Sequence, residues 1–212
     1  MAQYVQYGCG LSAPAEWTNF DVSPTLRIQK IPLVGSLLRR QLNTNFPANV
    51  QYGDIIRGLP VDDQSCDGLY CSHTLEHLSL NDLRVALKNS FKILKPGAPF
   101  RLVVPDLEQM ARGYLQSLEA GQASASIKFI RNMIFGLEER PRGLKGFISS
   151  YMGNANHLWM WDHASLAEEL KNAGFAQIRR CSFNDSPDPM FRLVENESRF
   201  LGAVALECTR SR

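Results

Sequence analysis

No apolar run in this chain of 212 residues is long enough to cross a bilayer: the best, the eight residues from Ile31 to Leu38, falls far short of the roughly 18 that a spanning helix needs. An excess of one charge sign is also missing. Twenty-three basic residues against 21 acidic ones leave +2, too little for a nucleic-acid binder driven by bulk charge, so no nucleic-acid partner is expected. The five cysteines, at positions 9, 66, 71, 181 and 208, include no CxxC pair of a zinc site, and no secretory apolar segment precedes them. They fit reduced thiols, hence a cytoplasmic protein. No internal repeat with a period of roughly 20–50 residues is present, which excludes solenoids and propellers. With 44% hydrophobic and 21% charged residues, a disordered or collagen-like chain is excluded as well. What is left is a single layered domain over residues 1–212.

What is present is an alternation. Tyr4-Val5-Gln6-Tyr7 reads as a buried strand that stops at Gly8-Cys9-Gly10, and Trp17 to Val22, Val50 to Asp54 and Gly68 to Ser72 read as the next three. From Leu80 the apolar residues recur at 80, 83, 87, 91 and 94, one face of a helix that Lys95-Pro96-Gly97 ends. Phe100 to Val104 follows as an almost uninterrupted apolar strand, the pattern of a parallel strand covered on both faces. Ser165-Leu166-Ala167-Glu168 reads as a capping box, with Gly174 past the helix end, and Gln177 to Phe183 and Phe200 to Cys208 as the last strands. Residues 107–157 read as a helical insertion or lid. Strands alternating with amphipathic helices predict an α/β three-layer sheet whose ligands bind outside the carboxyl ends of the strands.

The glycines of Gly8-Cys9-Gly10 suit close approach of a ligand to backbone, and Asp21, at the end of the second strand, suits the two hydroxyls of a ribose. Only eleven positions separate Gly10 from Asp21, against roughly 20 in the dinucleotide fingerprint, so no ordinary helix fits between the first two strands. A pyrophosphate would then lack its helix N-terminus, which favours a cofactor without phosphate.

With these residues in place, the chain resembles a class I S-adenosylmethionine-dependent methyltransferase of the type 11 group. The resemblance rests on Tyr7-Gly8-Cys9-Gly10, Asp21, Gly53-Asp54-Ile55 with Leu59-Pro60, Cys66-Asp67-Gly68-Leu69-Tyr70, Ser72-His73-Thr74-Leu75-Glu76-His77-Leu78, Leu94-Lys95-Pro96-Gly97, Val104-Pro105-Asp106, and Leu170 through Phe175. It implies a Rossmann-like, mostly parallel seven-stranded sheet in the order 3-2-1-4-5-7-6, here N-terminally shortened and with the helical insertion before the sixth strand. It further implies S-adenosyl-L-methionine as cofactor. Gly8 and Gly10 would pass its methionine end, Asp21 hold its ribose, Asp54 bond the adenine amino group and the backbone of Ile55 the ring. Cys71, Ser72 and His73 would line its middle, with His77 close by. The acceptor expected by elimination is a small molecule or saccharide.

Three further features carry chemistry. His73-Thr74-Leu75-Glu76-His77 matches the inverted zinc-protease pattern H-x-x-E-H, which requires both histidines on one helical face and makes zinc hydrolysis a remote alternative. Its plain reading is a cap for the helix at Leu80. Between Asp21 and Asp54 stand Arg27, Lys30, Arg39 and Arg40 with no acid, interleaved with apolar residues. This stretch, 27–42, suits peripheral contact with an anionic membrane surface, or simply a solvated helix. His157-Leu158-Trp159-Met160-Trp161-Asp162-His163 is an aromatic segment expected either at the acceptor or as a plug in the core. An oxygen acceptor needs its proton removed, for which His157 is the first candidate and His73 and His163 the next. A second alternative is a catalytically inactive protein that keeps the fold for binding or regulation. A homodimer is the expected way for a shortened domain to gain cover.

Overall fold

The structure, a computed structural model, describes residues 2–31, 44–139, 142–143 and 156–212. Seven strands form one sheet in the order β3-β2-β1-β4-β5-β7-β6, as the resemblance implies. β1 (Tyr4–Tyr7), β2 (Trp17–Asp21), β3 (Val50–Tyr52), β4 (Gly68–Ser72) and β5 (Pro99–Pro105) run parallel. β7 (Ala203–Arg210) inserts antiparallel between β5 and β6 (Phe175–Arg180).

The helices are α1 (Pro24–Gln29), α2 (Leu80–Ile93), α3 (Leu107–Glu119), α4 (Ala125–Asn132) and α5 (His163–Asn172). As the spacing predicts, α2 buries Leu83 and Leu87 and packs Leu80 and Phe91 half-buried against the core. It also buries Ala86 and Ile93, which the spacing does not mark, and it is capped by Ser79, whose hydroxyl accepts the Asp82 N–H at 3.2 Å. Residues 8–16 turn directly from β1 to β2 without a helix, through bonds such as Ser12 N–H to the Cys9 carbonyl at 3.0 Å. Several strand and helix ends differ from expectation. The capping box is Asp162 with Ser165, not Ser165 with Glu168, because Asp162 accepts the Ser165 N–H at 2.8 Å and so starts α5 earlier. β3 ends at Tyr52, since Gly53-Asp54 already turns. β6 begins at Phe175 and ends at Arg180, with a bulge between Ala176 and Arg179, and β7 starts only at Ala203, after the Phe200-Leu201-Gly202 turn.

Side chains alternate across each strand, so the sheet has two faces with two separate cores. On the first, Val5, Tyr7, Phe20, Leu69, Cys71, Phe100, Leu102 and Leu206 meet α2 and, through Leu166 and Leu170, α5. On the second, Trp17, Tyr70, Val103 and Ala205 meet Phe191 and Val194. Those two come from the connection between β6 and β7, whose short 3-10 turns Pro189–Leu193 and Glu197–Arg199 form the third layer.

The second face also carries a polar row. Asn19, Gln6, Tyr70, Arg101, Glu207 and Arg179 sit side by side on successive strands by register. Arg101, on the central strand β5 and fully buried, donates to Glu195 (2.7 Å), Glu207 (2.7 Å), Asp185 (3.0 Å) and the Ser182 carbonyl (3.1 Å). Arg179 adds bonds to Glu207 and Asp185. Burial alone would push the Glu207 and Asp185 carboxyls up; the hydrogen bonds from Arg179 and Arg101 outweigh it and hold both below their ordinary 4.5 and 3.8. Carboxyls depressed in this way stabilise the fold in full at neutral pH, and that contribution disappears as pH falls through their folded values. The urea midpoint is therefore expected to drop steadily from about pH 5 toward pH 3, and less steeply in Glu207→Gln. An equal slope in both proteins would show that Glu207 carries none of it.

Candidate functional site

The parallel strands β3, β2, β1 and β4 end on a common edge. Tyr7 is level with Phe20 and Cys71, and Asp21 with Tyr52, so the residues that follow gather in one crevice. It contains Gly8 to Gly10, Asp21, Gly53-Asp54-Ile55 and Ser72 to His77, the positions expected from sequence. Gly8 and Gly10 both adopt left-handed backbone, φ +63° and +55°. Their surroundings differ. A Cβ on Gly8 would lie 1.9 Å from the Thr74 hydroxyl, whereas one on Gly10 would meet nothing within 4 Å. Gly8 is therefore closed by Thr74, a residue that sequence reasoning passed over, and Gly10 is open.

Asp21 shapes this turn. Its carboxylate accepts the Gly10 N–H at 2.9 Å through one oxygen and the Ser23 N–H at 2.8 Å through the other. Each oxygen retains a second acceptor direction, and the side chain is only partly buried. Asp54 accepts the Ile56 N–H at 2.9 Å and stands 3.5 Å from the Arg57 guanidinium. Ile55 is buried beneath, its carbonyl held by Asn89 at 2.7 Å. The Cys71 side chain points away from the crevice into the first core, where burial pushes its thiol far above the ordinary value; only its backbone reaches the edge.

The segment after β4 brings three of the four histidines around one carboxylate. His73 extends the ladder, its N–H on the Val103 carbonyl at 2.8 Å, and then takes φ +51°. Such a conformation costs a non-glycine residue about 1–3 kcal/mol and concentrates at functional sites. Leu75–His77 is a single 3-10 turn. The five residues of H-x-x-E-H are thus not on one helix, which removes the geometry that the zinc-hydrolase alternative requires. Glu76 is 1% exposed, and its backbone carbonyl accepts the N–H groups of Leu158 and Trp159 at 2.7 and 3.1 Å. These bonds bring His157 to His77, ring centroids 5.0 Å apart. Burial, then the neighbouring His77, lower the His157 pKa against the opposing pull of Glu76, which keeps its imidazole neutral at pH 7.

The aromatic segment plugs the core with part of its length. Met160 and Trp161 are buried, while Leu158 and Trp159 are exposed. His163 opens α5 and is not among the clustered histidines. Of the basic stretch 27–42, residues 32–42 lie outside the described residues, as do 140–141 and 144–155 of the insertion. Among the described residues no helix is long and apolar enough to cross a membrane.

Residues 5–102 match the family model described as Methyltransferase domain. A search of curated proteins gives no match. Among solved structures, a SAM-dependent methyltransferase of Thermotoga maritima, described as a possible histamine N-methyltransferase, superposes with TM-score 0.52 at 16% identity, over 100% of this chain and 83% of that one. A SAM-dependent methyltransferase of Archaeoglobus fulgidus gives 0.50 at 15%, over 99% and 86%. Phosphoethanolamine N-methyltransferase 2 of Haemonchus contortus, in complex with phosphomonomethylethanolamine and S-adenosylhomocysteine, gives 0.51 at 11%, over 100% of this chain and 49% of that one. The family match spans 98 of the 212 residues, just under half of the chain, and the likeness to these solved structures is one of fold, the Rossmann-like sheet in the order described above.

Proposed function

We propose that this protein is an S-adenosylmethionine-dependent methyltransferase acting on a small-molecule or saccharide acceptor. The observation that carries the reading is the crevice itself: the open turn at Gly10 beside an Asp21 carboxylate with one acceptor direction left on each oxygen. That pair fits two vicinal ribose hydroxyls. Asp54 would take the adenine amino group, and because Asn89 occupies the Ile55 carbonyl, the ring falls to the Ile55 N–H. Ser72, His73 and His77 would line the middle of the cofactor. S-adenosylmethionine, when bound, supplies the methyl group as an electrophilic carbon.

The work left to the protein is to align an acceptor and exclude water. We read α3 and α4, packed through Tyr114 and Phe129 at 5.0 Å, as part of the insertion or lid over residues 107–157 that would do the excluding. Of the histidines considered for proton removal, His73 has Nε2 on the Arg199 carbonyl at 2.9 Å and His163 stands apart. His157 combines a neutral imidazole with an Nδ1 that has no hydrogen-bond partner.

Calorimetric titration with S-adenosylmethionine and S-adenosylhomocysteine tests the reading. Binding in the micromolar range is expected, abolished by Asp21→Ala in a protein whose melt shows it folded. No binding by the folded wild-type chain would overturn it in favour of an inactive binding or regulatory protein.

A further inference from the structure

Glu76 is a buried carboxylate whose two oxygens accept no hydrogen bond. An ion so placed is costly unless a cation compensates it. The groups facing it are imidazoles. His73 Nδ1 is 3.4 Å from Oε1. His77 has Nδ1 on the Asn156 carbonyl at 3.1 Å, so Nδ1 carries the proton and Nε2 keeps a free lone pair. His157 is buried beside it, and its Nδ1 has no hydrogen-bond partner. The His77 ring is thus fixed by a backbone carbonyl with its opposite nitrogen free, the usual support of a metal-ligating histidine.

We propose that Glu76, His77 and His157 bind one divalent transition-metal cation of the zinc type. One donor atom from each lies within 4.8 Å of the others. Zinc at about 2.0–2.2 Å from each ligand draws tetrahedral donors to about 3.4 Å, so loading contracts the cluster by about 1–1.5 Å. Two imidazoles and one carboxylate leave a coordination position open. The site differs from the protease pattern in that Glu76 is a ligand rather than a base and His73 flanks it. It forms part of the crevice wall, since Glu76 and His77 belong to the segment after β4 whose Thr74 closes on Gly8. A proton shared by His73 and Glu76 would neutralise the carboxylate but would leave the His157 Nδ1 without a partner; a metal held there takes up that lone pair, so metal binding and proton removal at His157 exclude one another.

The full chain, freed of metal by chelator dialysis, is titrated with Co²⁺ and followed by visible absorption, then with Zn²⁺. One Co²⁺ per chain is expected, with ligand-field bands, no thiolate charge-transfer band, and displacement by one equivalent of Zn²⁺. Glu76→Gln and His157→Ala are each expected to weaken binding by at least about tenfold, and His163→Ala to leave it unchanged. A folded wild-type chain that takes up no Co²⁺, shows a thiolate band, or binds as tightly in Glu76→Gln as before overturns the proposal; the wild-type spectrum decides even if a variant fails to fold. S-adenosylhomocysteine titrated into the same samples keeps the methyltransferase reading separate, because either ligand can bind without the other.

Discussion

Arg101→Ala is expected to lower the unfolding free energy by about 3–5 kcal/mol, the usual cost of breaking a buried ion pair from one side. The change removes a fork that serves three carboxylates and a carbonyl at once, and it leaves the buried Glu195 side chain a charge whose remaining hydrogen bond is from the Asn184 N–H. Arg101→Lys is expected to recover only part of the loss, because an ammonium cannot present the planar donor array that reaches Glu195 on one side and Glu207 on the other. Urea unfolding gives the measurement, read as a lower midpoint at unchanged slope. A loss under about 1 kcal/mol, the range of a surface pair, would mean that the cluster is solvated and does not hold the covering segment. Replacing Arg101, Glu195 and Glu207 together by apolar residues of similar volume is expected to cost far less than Arg101→Ala alone, since no unpaired charge remains.

Gly8→Ala is expected to be nearly as damaging and to act on the cofactor crevice as well. Left-handed backbone costs an L-residue about 1–2 kcal/mol. The new methyl must also displace Thr74, whose Oγ1, Cγ2 and Cβ would lie at 1.9, 2.8 and 2.9 Å. Overpacking of this kind adds about 1–3 kcal/mol. Thr74 is anchored by its hydroxyl to the Ser72 carbonyl, so the strain passes to the segment after β4 and cofactor affinity falls with stability. Thr74→Ala removes the two nearest atoms. The double variant is therefore expected to regain the packing part while keeping the backbone part, a coupling that a double-mutant cycle measures. Strict additivity of the two changes would exclude the contact as the cause.

The parts legible in the sequence are those set by local pattern. The apolar spacing from Leu80 announced α2, and the glycine turn followed by Asp21 after only eleven residues announced a direct β1-to-β2 turn. The gathering of Gly8 to Gly10, Asp21 and Gly53-Asp54-Ile55 at one edge of the sheet followed from the order of such pieces. What was not legible depends on partners far apart in the chain. Arg101 stands in a strand read as almost uninterruptedly apolar, and a single charge there was the available signal of a buried ion cluster. Its partners are 84 to 106 positions away, beyond any local pattern. Thr74 was invisible for a similar reason: its contact with Gly8 exists only because β1 and β4 are neighbours. Glu76 was seen within H-x-x-E-H, but its environment comes from residues 156–159, some 80 positions later.

The covering of the second face has a consequence for the order in which the chain can fold. Tyr4 donates to Asp188 across 184 positions, and the Trp17 indole to the Met190 carbonyl across 173. Synthesis runs from the N-terminus, so the strands up to β5 leave the ribosome long before the segment that buries Trp17, Tyr70 and Val103. Throughout that interval the nascent sheet has one side partly covered by α2 and one bare adhesive side, and closing it requires the slowest kind of contact, between segments far apart in the chain. Folding of this protein is therefore a race between translation of the segment that carries Phe191 and Val194 and aggregation of the strands made before it, with chaperones that bind exposed apolar sheet the natural arbiters.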